Sequence, residues 1–188
     1  MNQIAEFEYQ MILFDYQTSK FDFLDLFQEV DVSPGTVVCV SVGNAQRVHI
    51  RNPAAIQTLF EVEYNFALIR DVKRDAVWPL TQKNNIPKID TKLFIINNVD
   101  DAKMIFALAK TCRDNIDFYQ HLLSDQLDSF DNTVISIANH LFKSPYGFFD
   151  IPRNLIMPQS PIFDSAKDLA FNQDTGAIVS FAGVNAID

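Results

Sequence analysis

The chain has 188 residues, 48% of them hydrophobic, and a formal net charge of −9, which suits one well-buried unit or a domain with an appendage. That charge repels phosphate backbones and disfavours generic, salt-driven nucleic-acid binding. No window of about 18 apolar residues occurs, and the N-terminus carries Glu6 and Glu8 in place of a basic leader, so the expectation is a soluble, cytoplasmic protein without a membrane partner.

Seventeen Phe against one Trp predict a core of rings that need no hydrogen-bond partner. "FEYQMILF", residues 7–14, reads as a strand that becomes more buried toward Asp15. "SKFDFLDLFQEV" spaces Phe21, Leu24, Phe27 and Val30 as a helix, with Ser19 as N-cap and Asp22 and Asp25 near its first turns. Pro34 and Gly35 make a turn before the apolar run Val37 to Val42, which suits a strand covered on both faces. A helix follows from Pro53 behind Asn52, then a third strand in "FALIRDV", residues 66–72.

Pro79, Pro87 and the pair Asn84–Asn85 predict an irregular connection with one helical turn at most. "KLFIINNV" is the clearest strand, and the following helix sets Ala102, Ile105, Phe106, Ala109 and Cys112 on one face. Two helices come next, "DFYQHLLSDQLDSF" and "NTVISIANHLF", followed by a Pro-rich stretch, a short helical pattern at "DSAKDLAF" and a strand at "AIVSFAG". The alternation predicts an α/β domain over residues 1–115, with a mostly parallel sheet between flanking helices in three layers. A helical and irregular C-terminal region, 116–188, packs on it, or the whole forms a single domain.

In a parallel sheet the residues just past each strand share one edge, where ligands collect. Asp15, Gly43 with Asn44, Asp71, and Asn97 to Asp101 are then four polar stations around one cleft. Converging carboxylates hold Mg²⁺ or Mn²⁺, hard cations that prefer oxygen, and such ions activate water against a phosphodiester. Structural work explains the same acids: Asp15 can close its strand in an Asx-turn, and Asn98 with Asp101 resembles a capping box.

"MILFDYQTSKFDFLDLF", with "TVVCVSVGNAQRVHI" after the Pro-Gly turn, resembles the opening of PIN-like nuclease domains. In one branch the first strand ends in Asp-aromatic-Glu-Asn and the second in Val-Gly-x-x-Gln. "LFIINNVDDAKMIFALAK" is similar to the family's late strand and helix, where Ser-Asn-Asp-x-Asp-Phe supplies acids. The resemblance implies a Rossmann-like three-layer fold, Asp15 and Asp101 as catalytic, metal-facing acids, and Gly43 and Gln46 shaping the cleft. It also implies a depleted site: Gln17 stands in place of Glu, Val99 in place of the first late Asp, and Trp78 at the middle position nearest Asp75.

Elsewhere the chemistry is sparse. Cys39 and Cys112 have no metal-binding spacing, His121 and Asp125 read as an i,i+4 surface contact, and Arg47, His49 and Arg51 read as a solvated edge strand. No nucleophile elbow or Gly-rich phosphate loop is present. Two functions follow. One is a PIN-like ribonuclease that uses Asp15 and Asp101 with Asp71, Asp75 or Asp100, Mg²⁺ or Mn²⁺, and RNA. The other is a non-enzymatic, acidic interaction or regulatory protein that binds a protein partner.

Overall fold

A computed structural model describes residues 10–41, 46–50, 64, 66–70, 77–143, 148–150, 156–157 and 178–182. Strand β1 (Met11–Asp15) is tied to the turn before β2 (Thr36–Ser41) through Gln10. The Gln10 Oε1 accepts from the Ser33 N–H at 3.1 Å and from the buried Thr36 hydroxyl at 2.7 Å. The turn itself is the expected one: Thr36 N–H donates to Ser33 C=O, and Gly35 supplies the positive φ of 82° that a β-carbon would disfavour.

The predicted helix after β1 is shorter than its apolar spacing suggests. Asp22, not Ser19, caps it by accepting from Leu24 N–H at 2.9 Å, and a 3-10 turn (Phe23–Asp25) runs into α1 (Leu26–Glu29). Ser19 instead exchanges short-range bonds with Phe21, which delays the helix start. The helix expected from Pro53 and the pattern at "DSAKDLAF" lie outside the described residues.

Strands β3 (Gln46–Ile50), β4 (Phe66–Arg70) and β5 (Ile89–Ile96) and helix α2 (Pro79–Asn84) follow. Pro79 opens α2, and Asn85 ends it in the left-handed region at φ 56°, as the Asn pair suggested. Helices α3 (Val99–Asp114), α4 (Ile116–Leu123) and α5 (Asp131–Phe142) come next, then β6 (Phe148–Asp150), β7 (Ile156–Met157) and β8 (Ile178–Ala182). The single helix read over "DFYQHLLSDQLDSF" stops at Leu123 because Ser124 turns left-handed at φ 53°.

Five strands form one sheet in the order β1-β2-β5-β4-β6, and β3-β8-β7 form a second. In the larger sheet β1 pairs parallel to β2 and β4 parallel to β6, whereas β5 pairs antiparallel to both β2 and β4. The chain is thus mixed α/β. The expectation of a mostly parallel sheet is corrected: four strands run one way, but the reversed strand sits at the centre.

Both faces of β2 and β5 are buried. Phe14, Val38, Val40, Phe94 and Ile96 join a core with Phe23, Leu26, Phe106 and the inner side of α3, while Val37, Cys39, Leu93 and Ile95 are buried on the opposite face. Phe23, Phe94 and Phe106 meet edge to face or tilted, with centroids 5.5–6.2 Å apart. Val134, Ile135, Ile137 and Ala138 of α5 belong to the same cluster, so this core runs past residue 115, and Ser136 Oγ accepts from the buried Ile89 N–H.

Truncating Phe106→Ala removes the ring that Phe23, Phe27 and Phe94 share. It is expected to cost about 3–5 kcal/mol by urea unfolding, whereas Met104→Ala on the exposed side of α3 stays within about 0.5 kcal/mol.

Candidate functional site

Asp15 ends β1 and half-buries its side chain. Its Oδ1 accepts from Gln17 N–H at 2.7 Å, and its carbonyl accepts from Thr18 and Ser19 N–H groups. This is the strand-closing Asx-turn that the sequence offered as the structural role of this acid.

The turn directs Tyr16 across to α5, where its hydroxyl donates to Asp131 Oδ2 at 2.5 Å. Arg113, in the last turn of α3, donates to Asp22 through both terminal nitrogens, at 3.0 and 2.8 Å, and reaches Asp131 Oδ1 at 3.5 Å. One turn earlier Lys110 donates to Asp25. Cations at the C-terminal end of α3 therefore face acids held by the 3-10 turn and by the first turn of α5, each with the sign its helix end favours. Four segments, the β1 turn, the 3-10 turn, α3 and α5, are joined at one corner of the fold.

The ionisation of the corner follows from this geometry. Partial burial raises the Tyr16 hydroxyl above its ordinary value and the bond to Asp131 adds to the rise, although the residue as a whole is 43% exposed. Burial also raises Asp131, outweighing the Tyr16 bond and the Arg113 charge. Burial would raise Asp22 as well, but the Arg113 bond, the Leu24 N–H and the charges of Arg113 and Lys110 hold it below the usual range. Cys39 is pushed up to about 12 by burial, and Cys112 is raised for the same reason, so both thiols stay protonated and behave as apolar groups.

The strand-end acids do not all converge. Asp15 is level with Ser41, whereas Ile96 is level with Thr36 at the opposite end of β2. Five residues of strand separate those levels, about 17 Å. The helix repeats the measurement: Asp101 lies in the first turn of α3, and Arg113, beside the corner that Tyr16 reaches, lies in its last. At 1.5 Å per residue these stand roughly 18 Å apart. Asp15 and Asp101 therefore do not share one ion, and Asp100, exposed beside Asp101, lies at the same far end. The physical reason is the direction of β5, which carries its C-terminal end away from Asp15.

Asp101 sits in a cap, since its N–H donates to Asn98 Oδ1 at 3.1 Å and Asn98 is the N-cap of α3. Asp71, Asp75, Gly43 and Asn44 lie outside the described residues; Gln46 opens β3 in the second sheet. Among the described residues no three His, Cys, Asp or Glu side chains come together as a metal ion would need. Asp125 pairs with Lys83 at 3.3 Å and lies beyond the end of α4, so it is not the helical neighbour of His121 that the spacing suggested.

Sequence reasoning placed Asp22 near the first turns of its helix but offered Ser19 as the cap, and it gave no role to Tyr16, Lys110 or Arg113. Tyr16 and Asp131 are 115 residues apart, and Arg113 and Asp22 are 91 apart, so no local spacing announces them.

No family model matches the chain, and no curated protein matches it. Among solved structures, a crystal structure of an active-site mutant of LgtC aligns with a TM-score of 0.48 at 14% identity. The alignment covers 86% of this chain and 57% of that one, so this chain spans little more than half of its length.

Removing the Tyr16 hydroxyl leaves an oxygen of Asp131 without its donor. Tyr16→Phe is expected to lower stability by about 1–2 kcal/mol at neutral pH, read by urea unfolding. Because Asp22 is held below its unfolded value, its contribution is present above that value and fades as pH falls through the folded one. The loss of stability in Asp22→Asn should therefore be measurable at pH 7 and shrink below about pH 4; a loss that grows on acidification contradicts the assignment.

Proposed function

We propose that this chain is a non-enzymatic α/β interaction protein rather than a metal-dependent ribonuclease. The observation that carries the reading is the separation of Asp15 from Asp101: Asp15 is level with the end of β2, whereas Asp101 opens the helix that leaves β5 level with the start of β2. A phosphodiester hydrolase of the kind the sequence resembles needs its acids within a few ångströms, since Mg²⁺ and Mn²⁺ bind oxygen at about 2 Å.

The acids at the Asp15 end support it further. Asp22, Asp25 and Asp131 already accept from Arg113, Lys110 and Tyr16, so their oxygens are engaged in holding the fold. The charge of −9 adds repulsion toward RNA. Large apolar groups are exposed as well: Leu13 on β1, Phe118 and Leu122 on α4, and Phe130 ahead of α5 each expose more than half of their surface. Exposed aromatic and aliphatic groups of this size supply binding energy in protein interfaces.

The ribonuclease alternative would draw on Asp15 together with Asp71 and Asp75. One experiment decides between them: single-stranded RNA is incubated with the full chain and Mn²⁺, in parallel with a thermal melt. The expected result is no cleavage, no metal-dependent rise in Tm, and identical behaviour of Asp15→Asn. Mn²⁺-dependent cleavage that Asp15→Asn abolishes overturns the proposal.

A further inference from the structure

We infer that the outer face of α4 docks a basic amphipathic helix of a protein partner. The inference rests on the interaction-protein reading and names the chemistry of what is bound. Helix α4 sets Ile116, Tyr119, Gln120 and Leu123 on its inner side, yet buries none of them fully. On the outer side Phe118 and Leu122 are 61% and 57% exposed. They stand at i,i+4 and form one ridge, the kind of anchor pair that a helix-in-groove contact reads.

Charge selects the occupant. From Asp114 to Asp131 the chain has five Asp and no Lys or Arg. Two of these acids are ion-paired, Asp125 with Lys83 and Asp131 with Arg113, which it shares with Asp22. Asp114, Asp117 and Asp128 are exposed and form no ion pair among the described residues. Arg113 feels the charge of Asp114, and Asp128 Oδ1 accepts from Phe130 N–H. All three carboxylates are nonetheless exposed, and exposed acids near an apolar ridge favour a partner that brings cations beside apolar side chains. They repel an anionic membrane or a nucleic acid, and a second copy would bring the same carboxylates face to face.

The probe is a synthetic helix of about five turns with Leu on one face and Lys on the other, titrated into the full chain and followed by fluorescence anisotropy. A matched peptide with Glu in place of Lys is the control. The wild-type chain is expected to bind the Lys peptide with an affinity that falls with salt and to ignore the Glu peptide. Phe118→Ser with Leu122→Ser should weaken binding about tenfold or more. Asp114→Asn with Asp117→Asn should weaken it several-fold and flatten the salt dependence. Both double variants alter exposed positions, so their urea midpoints should stay near wild type.

No binding by the wild-type chain, equal binding of the two peptides, or equal binding by wild type and the Ser variant overturns the inference. So does a wild-type dimer in sedimentation that the Ser variant dissolves, because the face then belongs to a second copy. RNA cleavage dependent on Asp15 sinks the interaction-protein reading itself, whereas absent cleavage with absent peptide binding sinks only the docking site.

Discussion

β5 is hydrogen-bonded along both edges, to β2 on one side and β4 on the other, and it runs against both. A strand in that position sets the sheet's geometry, because its neighbours take their register from it and the helix that leaves it must return across the sheet. Its odd and even residues, Leu93 and Ile95 on one face and Phe94 and Ile96 on the other, are all buried. A slip of one residue would exchange the two faces, moving Phe94 away from Phe23 and Phe106. The direction of this strand also decides where α3 starts and ends, and hence which side chains can meet.

α3 begins at the end of the sheet where Ile96 pairs with Thr36 and finishes beside the β1 turn. The end that meets the β1 turn therefore carries cations, Lys110 and Arg113, and the distant end carries Asp100 and Asp101. Acids that would have converged in a parallel arrangement are kept apart, and the acids near Asp15 face positive charge. The network of Tyr16, Asp22, Arg113 and Asp131 is a structural consequence of that polarity. A partly buried pair of this kind contributes modestly in itself, but removing one member leaves the other without compensation. It holds the 3-10 turn and α5 against the end of α3, which keeps the ring cluster closed beneath them.

The outer surface follows a different rule. Where α3 and α5 bury their apolar faces together against the sheet, α4 buries no residue fully and keeps Phe118 and Leu122 outside. A helix of eight residues is too short to be stable on propensity, and its one half-buried face is what holds it. Retaining large apolar groups on the other face is costly in solubility unless something covers them.

Local features were legible because they are encoded within a few residues. The Pro34–Gly35 turn, the buried runs of β2 and β5, the left-handed stop at Asn85, the Asn98 cap and the apolar stripe of α3 all appear where spacing and side-chain chemistry place them. The Asx-turn at Asp15 belongs with them, since a carboxylate two residues before a free N–H needs no distant partner. Strand direction was not legible: an apolar run such as "KLFIINNV" has the same pattern read from either end, and nothing in it states which neighbours it will join. Nor could spacing reveal that Tyr16 would find Asp131 or that Arg113 would find Asp22. Those contacts exist only once the reversed β5 has laid α3 across the sheet, so the sequence by itself determined where most of the described strands and helices lie and some of their ends, and the tertiary structure decided which charges face one another.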